Sequence, residues 1–474
     1  MTIFFFSVLG FLAELAAANE AEFDAKTVAR PANIIVILAD DMGYGDMSGN
    51  GHPTIRTPHL DQMAMEGQKW TNFYSPASVC SPSRAGLLTG RLSIRTGIAS
   101  LKHRVFFPWS KGGLPIEEVT LAEMLKTQGY QTAMFGKWHL GHLPEFLPTQ
   151  HGFDQWFGMP YSNDMDRDRK AIGAISSSAL SLDDPKGYWS KPQSQHFKVP
   201  LMAGNQVIER GPDQRLLTQT YTDKSLAFIR LQKDKPFFLY LSFSMPHVPL
   251  FRSQAFSEKS TAGLYGDVIE ELDASVGRII AELKNLSIAE NTLVVFTSDN
   301  GPWLKYKTLG GSAGLLREGK STVWEGGMRV PTVFWGPRFV TPGIVHSIGS
   351  SLDFMATFAA LSQAKLPDTA LDSVNLLPAL SGTGKSAREE IFFYLGDQLA
   401  AVRQGAYKAH FLSRPVGQKE LVRYDLPLLF DLNLDPAEQF ELGQFHPKII
   451  SRLIDLRSKQ IASVKSVENQ LLKR

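Results

Sequence analysis

The run of residues 33–39, Asn-Ile-Ile-Val-Ile-Leu-Ala, constrains the fold of this chain more than any other segment. Its unbroken apolar and β-branched side chains are typical of a strand that is buried on both faces of a sheet. Similar runs occupy residues 235–244 and 291–298, and helical patterns occupy 119–128 and 266–283. Alternating strands and helices predict an α/β fold in which helices cover both faces of the sheet.

Polar residues follow these runs: Asp40 and Asp41 directly after the first, His247 three residues after the second, and Asp299 and Asn300 directly after the third. Ligands of open α/β sheets collect at the carboxyl ends of strands. If the first and third strands are neighbours, their carboxylate and amide oxygens converge into a set that suits a hard divalent cation such as calcium. The alternative at this point is a solvated strand end and an ordinary Asp-Asn-Gly turn.

Composition limits the class of protein. Lys and Arg number 49 against 47 Asp and Glu, a formal net charge of +2, which argues against a nucleic-acid-binding protein. With 43% hydrophobic and 20% charged residues, the chain can bury a large core. The single cysteine, Cys80, excludes an intramolecular disulfide and a zinc site built on several thiolates.

Cys80 lies at or just before a predicted helix N-terminus, because Pro82 resists helix before it and residues 85–88 can start one. The helix dipole and Arg84 would both favour negative charge there. A lone cysteine is also commonly an inert, buried apolar residue. Both interpretations remain open from these residues alone.

The chain divides into three predicted parts. Residues 1–18 form an apolar run ending in three alanines, which is typical of a secretory signal peptide, although the absence of Lys or Arg before the run leaves an N-terminal helix as the alternative. Residues 19–385 form the predicted catalytic domain, with a surface insertion at 161–214. Short strand-like runs and a helix from 447 to about 465 predict an antiparallel sheet with a closing helix in a C-terminal subdomain, 386–474. No later run approaches the length of a membrane span.

The segment Cys80-Ser81-Pro82-Ser83-Arg84, followed by Leu88-Thr89-Gly90-Arg91, resembles the signature of the type I sulfatases, in which this cysteine is oxidised to formylglycine. The blocks 112–120 and 159–164 are most similar to the subgroup that contains arylsulfatase A and N-acetylgalactosamine-6-sulfatase. The resemblance runs from about residue 31 to 442, and the other blocks that carry it, in family order, are 33–45, 136–141, 245–247, 297–301 and 319–329. It implies an alkaline phosphatase-like fold: a large mixed sheet between helices, with a smaller C-terminal subdomain of antiparallel sheet plus helix.

The resemblance also implies a mechanism. A hydrated formylglycine at position 80 attacks sulfur through one hydroxyl, and its second hydroxyl allows sulfate to leave and the aldehyde to return. One calcium ion orients this group, and Arg84 holds the hydrate. The implied metal site comprises Asp40, Asp41, Cys80 after its modification, Asp299 and Asn300.

The sulfate, by the same resemblance, is surrounded by Lys137, Ser162, His247 and Lys320. His139 helps to deprotonate the second hydroxyl, and His247 is a candidate acid for the leaving oxygen. The spacing of Lys137 and His139 predicts that both lie on one face of an extended segment. Residues 325–329 predict a turn that shapes the loop after Lys320, so Trp324, Glu325 and Arg329 are expected to be structural.

The implied substrate is an aryl sulfate, a sulfated sugar or a sulfated glycolipid, and the implied maturation partner is a formylglycine-generating enzyme. The signal pattern predicts the secretory route, leading to an extracellular, periplasmic or lysosomal site, and the sequence leaves a homo-oligomer open. A phosphatase or phosphodiesterase of the alkaline phosphatase-like superfamily is one alternative, but such enzymes carry Ser or Thr at the nucleophile and extra zinc ligands that this sequence lacks. The other alternative is an inactive protein that binds sulfated glycans.

Overall fold

Strand β1 (Asn33–Ala39) lies inside a large mixed sheet in the computed structural model, which describes residues 31–168, 189–414 and 420–474. Alternate side chains of β1 enter two separate hydrophobic clusters, one on each face of the sheet. One cluster takes Ile34, Val36 and Leu38, and the other takes Ile35, Ile37 and Ala39. The prediction that this strand is buried on both faces is confirmed.

The large sheet has ten strands within the described residues, in the order β10-β2-β9-β8-β1-β7-β3-β4-β5-β6. The block from β8 to β4 is parallel, whereas β9 runs antiparallel to both β8 and β2, and β5 and β6 add an antiparallel edge. The predicted strands at 235–244 and 291–298 are β7 and β8. The remaining bounds are β2 (Gln68–Tyr74), β3 (Gln131–Gly136), β4 (Gln155–Gly158), β5 (Pro200–Ala203), β6 (Gln206–Arg210), β7 (Phe237–Ser242), β8 (Thr292–Ser298), β9 (Thr332–Trp335) and β10 (Gly343–Ser350).

Helices cover both faces of this sheet, as predicted. Both helical patterns of the sequence form helices, α3 and α5, and α3 begins at a capping box in which Thr120 and Glu123 exchange hydrogen bonds between side chain and backbone. α1, α4 and α5 pack on the face that buries Ile35, and α2, α3 and α7 pack on the opposite face. The helices of the described ranges are α1 (Pro58–Glu66), α2 (Cys80–Thr89), α3 (Leu121–Lys126), α4 (Leu217–Gln232), α5 (Gly263–Asn285), α6 (Glu325–Met328), α7 (Phe354–Ser362), α8 (Leu377–Leu380) and α9 (Pro447–Ser463).

The C-terminal part contains the predicted antiparallel sheet and closing helix. Its strands, in the spatial order β11-β12-β13-β14, are β11 (Glu390–Leu395), β12 (Gln398–Gln404), β13 (Tyr407–Ser413) and β14 (Val422–Asp431). α9 buries Ile450 and Leu453 against Leu399, Val402 and Ala409 of this sheet. Pattern alone was sufficient for the first three strands, because they are short and only two residues separate one from the next.

Two predicted segments are not fully described by the structure. The predicted signal peptide, 1–18, lies outside the described residues, as do residues 169–188 of the 161–214 insertion. The described part of the insertion contributes β5 and β6 to the sheet edge, and at its start Ser162, Asn163 and Asp164 are buried. Among the described helices, none has the length and apolar character that a membrane crossing requires.

Candidate active site

Four neighbouring parallel strands bring their carboxyl ends to one edge of the sheet. In the register of the ladders, Ala39 at the end of β1 pairs with Ser298 of β8, and Gly136 at the end of β3 pairs with Ser242 of β7. The polar residues that follow these strands therefore share one location. The condition on which the metal prediction depended, adjacency of the first and third strands, is met.

Four buried groups form a cluster with the geometry of a cation site. Asp40, Asp41, Cys80 and Asp299 each offer one ligand atom, and these atoms lie within 4.8 Å of one another. Asn300 donates from Nδ2 to Asp41 Oδ1 over 2.7 Å, while its own Oδ1 is buried without a hydrogen-bond partner among the described residues. Three carboxylates beside an unpaired amide oxygen are a hard oxygen donor set, so these residues fit a calcium ion.

Cys80 begins α2, at the position where the sequence predicts a helix N-terminus. Its Sγ lies 3.5 Å from Asp40 Oδ1 and 3.4 Å from Lys320 Nζ. Burial raises the pKa of the Cys80 thiol strongly, and the opposing effects of Lys137 and Lys320 do not offset it. For the thiol itself, the predicted preference of this position for negative charge is thus outweighed by desolvation.

Arg84 is fully buried and links the strand ends. Its Nε and Nη2 lie 2.9 and 2.8 Å from Asp299 Oδ2, and its Nη1 donates to the Lys137 carbonyl and to Ser242 Oγ, each over 2.7 Å. Nη2 also lies 3.5 Å from Asp40 Oδ1. The guanidinium of Arg84 therefore binds both carboxylates and the ends of two strands. Arg84 lies one helical turn after Cys80.

Two buried lysines pair with the two aspartates that follow β1. Lys137 Nζ lies 2.6 Å from Asp40 Oδ2, and Lys320 Nζ lies 2.6 and 2.7 Å from the two oxygens of Asp41. Burial raises the pKa of Asp40, but Lys137, Arg84 and Lys320 more than offset it and leave that pKa below its usual value. For Asp41, burial outweighs Lys320 and the pKa rises to about 7.

When all of its carboxylates and cations are ionised, the charges of this cluster balance. Three carboxylates face three cations, and both histidines nearby are neutral because burial and the lysines lower their pKa well below the usual value. A divalent cation would therefore give the cluster a positive charge, which favours an anionic substrate. The carboxylates are Asp40, Asp41 and Asp299, and the cations are Arg84, Lys137 and Lys320.

His139 lies close to these cations but not on an extended segment. β3 ends at Gly136, and His139 has a positive φ of 64°, so the extended segment predicted to carry Lys137 and His139 ends before these residues. Its Nε2 lies 2.9 Å from the Phe106 carbonyl, and its Nδ1 is buried with no hydrogen-bond partner among the described residues. Because a carbonyl only accepts, Nε2 carries the proton and Nδ1 is free to accept one.

His247 and Ser162 complete the group. His247 Nδ1 lies 2.6 Å from the Val248 carbonyl and 3.1 Å from Asn163 Oδ1, so Nδ1 is the protonated nitrogen. Its Nε2 faces Ser162 Oγ over 3.2 Å and Asp41 Oδ2 over 3.7 Å. Ser162 Oγ also lies 3.3 Å from Lys137 Nζ.

Three residues near this site were not predicted: Ser242, Asn163 and Trp303. Ser242 is the polar residue that closes an apolar strand, and Asn163 stands in the block 159–164, so each had a weak sequence signal. Trp303 had none, and its ring lies 5.3 Å from that of His247. Residues 325–328 also differ from prediction, because they form the short helix α6 rather than a turn. Trp324, Glu325 and Arg329 pack in the interior, as expected of structural residues.

The large mixed sheet between helices, with a cluster of buried carboxylates and cations at its carboxyl edge, has the architecture of an alkaline phosphatase-like α/β enzyme. Two family profiles match the chain: Sulfatase over residues 32–364, and the C-terminal region of aryl-sulfatase over 386–474. Arylsulfatase A of Homo sapiens is 42% identical over 436 residues, covering 88% of this chain and 84% of the human protein. N-acetylgalactosamine-6-sulfatase of Mus musculus is 39% identical over 451 residues, covering 88% and 83%.

Among solved structures, the PsFucS1 sulfatase from Pseudoalteromonas sp. superposes with a TM-score of 0.80 at 27% identity, over 94% of this chain and 92% of that one. The chain belongs to the sulfatase family, whose members are sulfuric ester hydrolases. The family resemblance of the sequence motifs, including its subgroup, is confirmed.

Proposed function

We propose that this sulfatase releases inorganic sulfate from a sulfate ester through a formylglycine made from Cys80. The observation that supports this most directly is the position of Cys80 Sγ, between Asp40 and Lys320 at the centre of the buried charge cluster. A protonated, desolvated thiol is a poor nucleophile, so the location calls for a different reacting group. When formed, the aldehyde supplies a hydrated carbonyl whose oxygen is the nucleophile.

We propose that Asp40, Asp41, Asp299 and Asn300, with an oxygen of the modified residue 80, hold one calcium ion. The unpaired Asn300 Oδ1 and the three adjacent carboxylates support this set. Bound there, calcium would supply positive charge close to the sulfate and to the nucleophilic oxygen.

The lysines provide the second part of the anion site. In the described arrangement Lys137 and Lys320 neutralise the carboxylates that we assign to the metal. A cation on those carboxylates would compete with the lysines, whose ammonium groups would then face the sulfate oxygens. Arg84 keeps Asp40 and Asp299 in place through its contacts with both.

The histidines support proton transfer on two sides of the site. We assign His139 the role of base, because its Nδ1 is unprotonated and unpaired among the described residues. We assign His247, with Ser162, to the leaving oxygen. Burial lowers the pKa of His247 the most, and Lys320 and Lys137 lower it further. An anion bound in the site would oppose the effect of the two lysines on this pKa.

The broader proposals follow from family membership. The substrate is an aryl sulfate, a sulfated sugar or a sulfated glycolipid, and a formylglycine-generating enzyme modifies Cys80 during maturation. We also propose a secretory route, a catalytic domain at 19–385 and a C-terminal subdomain at 386–474. The human and mouse relatives support the substrate range, since their names specify an aryl sulfate and a sulfated amino sugar.

The test combines mass spectrometry with sulfate release. We expect the peptide that contains residue 80 to have lost sulfur and two hydrogens and gained one oxygen, and we expect turnover of an aryl sulfate to exceed that of the matching aryl phosphate. The matched control is the same chain produced without a formylglycine-generating enzyme, with Cys80→Ala as the blank. Full activity with an unmodified thiol would refute the mechanism, and retention of sulfated ligand without release would indicate a binding protein instead.

A further inference from the structure

The indole of Trp303 lies at the side of the proposed sulfate site. Its ring centroid is 5.3 Å from the His247 ring and 4.4 Å from Lys320 Nζ. Lys320 and His247 are only 8% and 3% exposed, whereas Trp303 is partly exposed and contacts the core with the rest of its surface. It is thus an accessible apolar surface next to two groups assigned to the sulfate and to the leaving oxygen.

Trp303 is held firmly in this position. Tyr306, which is 8% exposed, makes an edge contact with the indole at 4.7 Å and is itself packed against Trp189 at 5.1 Å. The chain on the other side is tied down by a hydrogen bond from the Lys320 N–H to the Pro302 carbonyl, 2.9 Å long. An aromatic surface braced in this way loses little conformational entropy when a ligand packs on it.

We propose that Trp303 is a stacking surface for the ring of the alcohol that the enzyme releases, and hence a determinant of substrate specificity. The proposal rests on the proposed function of the site. A sulfate held between Lys320 and His247 places its ester oxygen, and the carbon skeleton attached to it, beside the partly exposed indole. Aromatic faces pack favourably against other aromatic rings and against the C–H face of a pyranose, and an acyclic chain offers neither.

The test compares substrates that differ in the ring but keep the sulfate. Trp303→Ala and Trp303→Phe are measured with an aryl sulfate as substrate, and with a hexopyranose 6-sulfate and the corresponding hexitol 6-sulfate as competitive inhibitors. These two inhibitors share a primary ester, and only the first has a ring. We expect Trp303→Ala to raise KM for the aryl sulfate and Ki for the pyranose sulfate about tenfold, and Ki for the hexitol sulfate less than about twofold. Trp303→Phe, which keeps an aromatic ring, should recover most of the affinity for ring-containing ligands that Trp303→Ala loses.

Comparing the change in KM for the aryl sulfate with the change in Ki for the pyranose sulfate shows which kind of ring Trp303 binds more tightly. Phe445→Ala is the matched control, because Phe445 is an aromatic side chain that is 76% exposed and has no place in the proposed site. Equal changes for ring and acyclic ligands would overturn the proposal and indicate that Trp303 only orients Lys320. An unchanged variant would overturn it as well. A wild-type protein that releases no sulfate would instead contradict the proposed function, so the two failures are distinguishable.

Discussion

Replacing Lys408 by Met should destabilise the protein more than any comparable change at a surface lysine. Lys408 Nζ lies 2.8 Å from Glu325 Oε1 and 3.0 Å from Glu438 Oε1, and the side chains of all three residues are 0% exposed. The variant keeps two buried carboxylates and removes the cation between them. Arg329 remains 3.5 Å from Glu325, but the two carboxylates lose the cation that they share at the contact between α6 and the C-terminal sheet.

The magnitude follows from the pKa of Glu325. Burial alone would raise this pKa above its usual value of 4.5. Lys408, followed by Arg329 and Arg403, lowers it by more than burial raises it, and the pKa is about 2. This net depression already includes the opposing effect of burial, so the attraction of the three cations for the Glu325 carboxylate is larger than the shift itself. Breaking a buried ion pair costs about 3–5 kcal/mol by experience with other proteins. We therefore expect Lys408→Met to lower the free energy of unfolding by about 3 kcal/mol at neutral pH.

The pH dependence provides a second check. A carboxyl whose pKa is depressed in the folded state stabilises the protein fully above its unfolded pKa, about 4.5, and loses this contribution as the pH falls towards 2. Without Lys408, ionisation of the buried Glu325 contributes less to the stability of the folded protein. The difference in stability between wild type and variant should consequently be largest above about pH 5 and shrink at lower pH.

Urea unfolding followed by tryptophan fluorescence at neutral and acidic pH measures both quantities. The matched control is Lys365→Met, since Lys365 pairs with Asp368 at 3.0 Å while the two side chains are 80% and 85% exposed. This control should change the free energy of unfolding by about 0.5 kcal/mol or less. A cost below about 1 kcal/mol for Lys408→Met, or one that does not depend on pH, would refute the reasoning.

Two further predictions concern the metal site and the strand that precedes Lys137. Calcium at about 100 times its Kd should stabilise the wild-type protein by about 2.7 kcal/mol in thermal unfolding. Asp41→Asn should lose this effect while Asp368→Asn keeps it, and equal stabilisation of all three would contradict the ligand assignment. Gly136→Ala should cost more stability than Gly129→Ala, because both glycines have positive φ but only at Gly136 would a Cβ overlap the Ser242 carbonyl. Equal losses measured by urea unfolding would show that φ strain alone matters.

Much of the architecture was predictable because it depends on local periodicity. The run at 33–39 is short, β-branched and has no polar residue except Asn33, which favours a strand covered on both faces. The C-terminal strands and α9 were predictable for the same reason. Site residues could be predicted from the sequence where they stand in short motifs that follow the family order, as Cys80 and Asp299 do.

The pairing of charges could not be obtained from periodicity. Lys137 meets Asp40, 97 residues away, and Lys320 meets Asp41, 279 residues away, because the ladder of β8, β1, β7 and β3 places those strand ends side by side. The extent of burial at this edge could not be obtained from periodicity either, and it makes desolvation outweigh the nearby cations in setting the pKa of the Cys80 thiol.

The sequence by itself thus determined the buried strands, the helix that begins at Cys80 and the family to which the chain belongs. Only the tertiary structure decided which cation neutralises which carboxylate, which nitrogen of His139 is unprotonated, and that Trp303 lies beside Lys320 and His247. The physical reason is that periodicity acts over a few residues, whereas desolvation and ion pairing depend on groups that only the folded sheet brings within a few ångströms of one another.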